Sequence, residues 1–196
     1  MMRTLRPALV LFLGFSLLTG VAYPLAVTGA AGALFPWQAQ GSVLAVRGRP
    51  IGSALIGQSF GAPKYFWGRP SATGARPYDG RASGGSNLGP TNPAELAAVR
   101  AAAEALRMAD PAQAGEPVPV DLVTASGSGL DPDISLAAAR YQLARVARAR
   151  GVPRRQLEQL LERQARRPWL GLFGEPRVNV LELNLALDGL HPVRLR

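Results

Sequence analysis

The chain has 196 residues, with 22 Lys+Arg against 13 Asp+Glu, no Cys and one His. Without cysteine there is no disulfide, thiol nucleophile, iron–sulfur cluster or thiolate zinc site, and with His191 alone a multi-histidine metal site is excluded too. A hydrophobic content of 47% beside a net charge of +9, with mean hydropathy +0.07 and a pI near 11.3, requires the apolar residues to be concentrated somewhere. All the cations except Lys64 are arginine, a bias that fits genome composition as well as an anionic partner.

No charged residue lies between Arg6 and Arg47, and Leu, Val, Phe, Ala and Gly dominate from Ala8 to Ala33. A bilayer core needs about 20 apolar residues in a helix, so residues 8–33 are expected to form a transmembrane anchor. Arg3 and Arg6 precede it, which by the positive-inside rule places residues 1–7 in the cytoplasm and 34–196 outside. Tyr23, Phe35 and Trp37 fall where an outer aromatic belt would lie. A cleaved signal peptide is the competing reading, although the run is longer than the usual apolar core of a signal.

Beyond the anchor the chain is long enough for one compact domain. Ser42–Val46 and Ile51–Gly57 read as a β-hairpin around Arg47-Gly48-Arg49-Pro50. Residues 58–93 are crowded with Gly, Pro, Ser and Asn. That is too long for a plain connection, and Tyr65, Phe66, Trp67 and Tyr78 give it material to pack, so an ordered functional loop is expected. Asn92-Pro93-Ala94-Glu95 predicts a helix start with a capping box, and the helix should run to about Met108. Val118–Thr124 reads as an apolar strand. Asp133 or Ser135 caps a helix through about Arg150, closed by Gly151, and Pro153 opens another to about Arg166. Arg177–Asp188 alternates apolar and polar with a slip at Leu181, which predicts a half-buried strand with a bulge. The expected fold is a single N-terminal transmembrane helix plus one α+β extracytoplasmic domain with short strands and about three helices.

Three features carry potential chemistry. Ser83-Gly84-Gly85-Ser86-Asn87 is glycine- and hydroxyl-rich, able either to aim backbone N–H groups at a phosphate or simply to turn sharply. No Walker lysine follows it. Ser126-Gly127-Ser128-Gly129 could hold a serine nucleophile, as a secreted hydrolase would need, but it lacks the nucleophile-elbow pattern and His191 has no visible reason to be near, so a turn with a helix cap competes. Nine arginines between Arg140 and Arg167 face only Glu158 and Glu162. The pair of basic helices invites a DNA-binding reading, that of a membrane-anchored regulator, but an extracytoplasmic position argues against nucleic acid. Arg145, Arg148, Arg154, Arg155 and Arg163 are instead candidates for a face toward lipid headgroups or an acidic partner, with a merely solvated face the alternative.

Many short motifs occur together and in order: Leu5-Arg6-Pro7-Ala8, Phe35-Pro36-Trp37-Gln38-Ala39, Gly52–Gln58, Tyr65-Phe66, Gly68–Ala72, Ala82–Leu88, Asn92-Pro93, Ser128–Asp131 and Val178–Asp188. Through them the chain, nearly end to end, resembles the C subunit family (KdpC) of the Kdp potassium-transporting P-type ATPase. The resemblance implies a non-catalytic inner-membrane subunit with a periplasmic domain, partnered by a channel-like potassium-translocating subunit and a P-type ATPase subunit. It also implies a catalytic-chaperone role that raises the ATPase subunit's affinity for ATP, with no metal in this chain. The Ser83–Asn87 loop resembles the L-S-G-G-Q signature of ABC transporters, with Ala82 in place of Leu and Ser86 in place of Gln. The extracytoplasmic position of that loop favours a different role, a periplasmic cap on the potassium-conducting subunit with no direct part for nucleotide.

Overall fold

The computed structural model describes residues 2–168, 171, 174–190 and 192–194; His191 lies outside them. The chain divides into two units, one running to Val43 and including Arg194, the other Leu44–Val193.

The first unit is dominated by one long helix. α1 (Met2–Leu17) runs through a π-helical turn at Leu18–Ala22 into α2 (Tyr23–Leu34). The wide turn has a covalent cause. Pro24 brings no N–H to the ladder, and the amide of Tyr23 reaches back five residues to the carbonyl of Leu18. Thr19 Oγ1 donates to the Phe15 carbonyl at 2.7 Å within the same stretch. Thr4–Leu34 is a 31-residue apolar helix, about 46 Å long at 1.5 Å per residue, enough to cross a hydrocarbon core. Its side chains, among them Leu11, Phe12, Phe15 and Leu25, stand exposed in the isolated chain. A short α3 (Pro36–Ala39) follows, and Trp37 donates from Nε1 to the Val43 carbonyl at 3.1 Å while the Arg194 guanidinium lies 4.2 Å from its ring.

The second unit opens with the expected hairpin. β1 (Val43–Val46) and β2 (Arg49–Ser53) are joined by only two residues, Arg47 and Gly48, both at positive φ. Those are the dihedrals of a type I′ turn, whose twist suits a two-residue hairpin. Pro50 is tolerated because β2 is an edge strand in the sheet β2-β1-β5, where β5 is Val193–Arg194. Residues 54–92 contain no helix or strand, yet Phe66 is fully buried. α4 (Pro93–Ala109) starts as expected, Asn92 Oδ1 accepting from Ala94 N at 2.9 Å. The second half of the capping box is replaced: Glu95 Oε2 accepts from Ser86 Oγ at 3.2 Å, tying the helix start to the glycine-rich loop.

The segment expected as a strand at Val118–Thr124 is instead a 3₁₀ turn at Val120–Leu122. Pro119 supplies no donor for a ladder, Leu122 N donates to the Pro119 carbonyl, and Thr124 Oγ1 bonds back to the Val120 carbonyl. The turn presents Asp121, whose carboxylate accepts from both the amide (2.7 Å) and the hydroxyl (3.2 Å) of Ser135. β3 (Asp133–Ser135) pairs antiparallel with β4 (Arg177–Asn179), Ile134 opposite Val178. The Asp133 and Ser135 amides are taken by the carboxylates of Asp131 and Asp121, which closes that edge to strand addition.

α5 (Leu136–Arg150) is the central element. Ser135 caps it through the Ala138 amide, and Gly151 ends it in the left-handed region at φ 64°. Ala138, Ala139, Leu143 and Val146 are buried along it. α6 (Arg154–Gln164) buries Leu157 and Leu161, one turn apart, against the same core.

The C-terminal segment differs most from expectation. Arg177–Asp188 is not a bulged strand: β4 ends at Asn179 and α7 runs Val180–Leu187. The slip in parity at Leu181 marks a change of period. Asn179 Oδ1 caps the new helix through the Glu182 amide at 3.1 Å, and Val180, Leu183 and Leu187 then follow at helical spacing.

Candidate functional site

The Ser83–Asn87 loop and the Ser126–Asp131 loop lie against each other. Ser83 Oγ and the Gly84 amide both donate to the Ser128 carbonyl, at 3.1 and 2.9 Å. A Cβ on Gly85 would come within 3.2 Å of the Gly127 carbonyl oxygen. At Gly129, φ is +66°, and a Cβ would sit 2.5 Å from Thr73 Cγ2 and 2.6 Å from the Gly84 carbonyl oxygen. The glycines of these two loops therefore permit close backbone packing. Gly129→Ala is expected to destabilise the domain by about 2 kcal/mol, since it combines backbone strain with a clash; a thermal melt within experimental error of wild type would contradict that packing.

Beneath the loops is a polar spine. Arg69 Nη1 pairs with Asp131 Oδ2 at 3.0 Å, and the Tyr78 hydroxyl donates to the Arg69 carbonyl at 2.5 Å. Burial and the nearby Asp131 carboxylate push the Tyr78 hydroxyl up to about 12, so it stays protonated and donating. Thr73, itself buried, accepts at Oγ1 from the Asp79 amide (3.0 Å) and donates to the Arg76 carbonyl (2.8 Å). Asp131 and Asp133 in the adjoining groove are answered by Arg69 and Arg177 (Arg177–Asp133 at 2.8 Å). Ser128, the candidate nucleophile, has its hydroxyl beside Ser126 Oγ at 3.4 Å, and it accepts from the Leu130 amide. Among the described residues no group of three or more His, Asp or Glu is arranged to hold a metal.

Two buried amides were not singled out in the sequence. Asn184 on α7 clamps Phe66 from both sides: Oδ1 accepts from the Phe66 amide and Nδ2 donates to its carbonyl, both at 2.9 Å. Gln142 on α5 does the same for Trp67, accepting from its amide at 2.8 Å and donating to its carbonyl at 3.1 Å. The signal that could have found them is an amide set between apolar neighbours, Tyr141-Gln142-Leu143 and Leu183-Asn184-Leu185. A buried side chain carrying both a donor and an acceptor can satisfy a strand-like backbone that has no partner strand.

The five arginines proposed as a basic face fall into three groups. Arg145 is 3% exposed. Its guanidinium donates to the carbonyls of Pro63 (2.6 Å) and Tyr65 (3.0 Å) and to Gln142 Oε1 (2.6 Å), and it lies 4.1 Å from the Trp67 ring centroid. Burial pulls it down to about 10, still charged at neutral pH. It therefore holds the 63–67 segment from inside and does not reach the surface. Arg148 pairs with the buried carboxylate of Asp110 (2.9 Å) and Arg154 with Glu158 (2.9 Å). Arg155 and Arg163 are exposed, with no carboxylate within 4 Å among the described residues. The rest of the run is largely neutralised: Arg140 and Arg167 share Glu162, Arg150 meets Asp188, and Arg166 meets Glu182.

Arg150 belongs to a cluster that ties α5 to the end of α7. Its Nη2 contacts Asp188 Oδ1 at 2.7 Å, and the Tyr65 hydroxyl donates to Asp188 Oδ2 at 2.7 Å. Burial pushes the Asp188 carboxyl up, but hydrogen bonds from Arg150 and Tyr65 outweigh it and hold the group below its ordinary 3.8. The bond to Asp188, then burial, raises the Tyr65 hydroxyl. The signs follow from linkage. The lowered carboxyl stabilises the fold above its unfolded value and loses that contribution as pH falls through the folded one. The raised phenol contributes fully below its unfolded value and loses its contribution as pH rises through the folded one. The melting temperature of the wild type should therefore drop on the acid side of 3.8 more steeply than that of Asp188→Asn, measured as Tm against pH; parallel acid limbs would contradict the cluster.

These features define a helix-tethered α+β domain whose buried polar side chains mostly hold irregular backbone in place. The family model for KdpC, the c chain of K+-transporting ATPase, matches residues 5–189. The chain is 65% identical over 193 residues to the potassium-transporting ATPase KdpC subunit of Polaromonas naphthalenivorans, covering 98% of each chain. It is 64% identical over 188 residues to that of Methylibium petroleiphilum (96% of this chain, 98% of the relative) and 60% identical over 189 residues to that of Sorangium cellulosum (96% and 99%). The chain belongs to the KdpC family, the accessory, non-catalytic subunit of a potassium-transporting ATPase.

Proposed function

We propose that this chain is anchored by residues 8–33 with its N-terminus in the cytoplasm, and that residues 34–196 form a periplasmic domain resting on the potassium-conducting subunit of the complex. There it stabilises that subunit at the ion entrance, in company with the P-type ATPase subunit and the surrounding lipid, and takes no direct part in nucleotide binding. The observation carrying this reading is the state of the Ser83–Asn87 loop. The Ser83 hydroxyl and the Gly84 amide already donate to Ser128, and Ser86 faces the Glu95 carboxylate, which would repel a phosphate.

The chain has no cysteine, so Ser83→Cys gives a unique label. In intact cells a membrane-impermeant maleimide should modify it; labelling only after the inner membrane is permeabilised would overturn the topology. The other reading, a catalytic chaperone that raises the ATPase subunit's affinity for ATP, has the family's glycine-rich loop in its favour. It predicts that Gly85→Ala raises the KM for ATP of the assembled complex, whereas the cap reading predicts an unchanged KM for ATP and a weakened assembly.

A further inference from the structure

A cleft of about 370 Å³ opens where α5, α6 and the end of α7 meet the Lys64 loop. Its floor is apolar, made by Val152, Leu157, Leu160 and Leu187, which pack on the core and so are fixed. Lys64 and Arg163 stand on its rim, both exposed and without a carboxylate within 4 Å among the described residues. Arg150, also in its wall, is spent on Asp188 and on the carbonyls of Lys64 and Leu187, so it shapes the cleft, and the Lys64 ammonium lies 5.1 Å from the Tyr65 ring centroid. A cleft with an apolar floor and two cations on its rim, neither within 4 Å of a carboxylate among the described residues, complements an apolar anchor side chain flanked by carboxylates.

We propose that this cleft is the docking site for a loop of a partner subunit presenting an apolar side chain beside Asp or Glu. The proposal rests on the reading that the domain docks on a partner. An anionic bilayer surface is a poorer occupant. It engages a broad cationic face, whereas the neighbouring arginines are neutralised by Glu158 and Glu162, whose carboxylates would be turned toward the headgroups. The floor is also made of fixed core side chains, which suits one inserted anchor.

The test uses the full chain in its complex, affinity-purified in mild detergent. Lys64→Glu with Arg163→Glu should cut the recovered partner subunits by about tenfold or more, the wild-type association itself weakening as salt rises. Arg76→Glu with Arg100→Glu, an equal charge change at exposed sites elsewhere, should stay near wild type. p-Benzoylphenylalanine at the exposed cleft residue Gln156 should crosslink on illumination to another polypeptide of the complex. Wild-type recovery by the reversed pair, a lipid adduct, or no adduct from an intact complex would each overturn the cleft while leaving partner docking in place. A wild-type chain that recovers no partner at all would overturn both.

Discussion

Phe66→Ala is expected to lower the unfolding free energy by about 4 kcal/mol, near the upper range for removing a fully buried aromatic ring. Phe66 has no exposed surface and belongs to the core cluster with Leu143, Val146 and Leu183, although it sits in a stretch with no regular structure. Its ring, with Phe60 and Trp67 packed partly buried beside it, is what pins the exposed 61–64 stretch and its flanks to the core. Denaturant unfolding in detergent, followed by tryptophan fluorescence, reports the change directly because Trp67 is adjacent. A loss of only about 1 kcal/mol, a typical point-mutant value, would mean that the segment is not packed as described.

The second large effect is expected at Asn184. Asn184→Ala leaves the amide and the carbonyl of Phe66 buried without partners. Each stranded group costs about 1–3 kcal/mol, so a loss of about 3 kcal/mol is expected. Asn184→Asp separates the two roles. A carboxylate can still accept from the Phe66 amide but repels the Phe66 carbonyl, so it should recover less than half of the loss. If Ala and Asp behave alike and both cost little, the amide is not satisfying that backbone. Phe66→Ala and Asn184→Ala touch the same residue, so the double variant should fall short of the sum of the two. Full additivity would argue that they act at separate places.

These two residues also mark where sequence reasoning reached its limit. The loop at 58–93 was legible as ordered because its aromatics needed somewhere to go, and Phe66 went there. What holds its backbone was not legible, because the partners, Gln142 and Asn184, lie 75 and 118 residues away. Local signals succeeded where the physics is local. Asn92 ahead of Pro93 and Gly151 as a stop were each readable from a few neighbouring residues. Ser135 and Asp133 were equal cap candidates until the structure put Asp133 at the start of β3 and gave the cap to Ser135. The C-terminal segment failed for the same reason in reverse. Two periods met at Asn179, and alternation over a few residues could not separate a three-residue strand plus a helix from one bulged strand.

The arginine run is the sharpest case. Nine arginines against two glutamates in one stretch read as a positive face, but charge counted along the chain is not charge on a surface. Asp110, Glu182 and Asp188, all outside the stretch, neutralise three of the nine, and Arg145 turns inward to bind carbonyls and Trp67. Arg155 and Arg163 keep exposed charge with no carboxylate within reach among the described residues.

By itself the sequence determined the apolar N-terminal helix, several helix caps and, through many short motifs in order, the family. Each of these rests on interactions within a few residues or on composition, which the chain carries in any conformation. The tertiary structure decided which polar groups are partnered: that the glycine-rich loop is packed against Ser128, that buried amides hold the 65–67 backbone, and that most of the arginine charge is cancelled. Those facts depend on which distant residues meet, since a buried donor, acceptor or charge takes its energetic meaning from its partner.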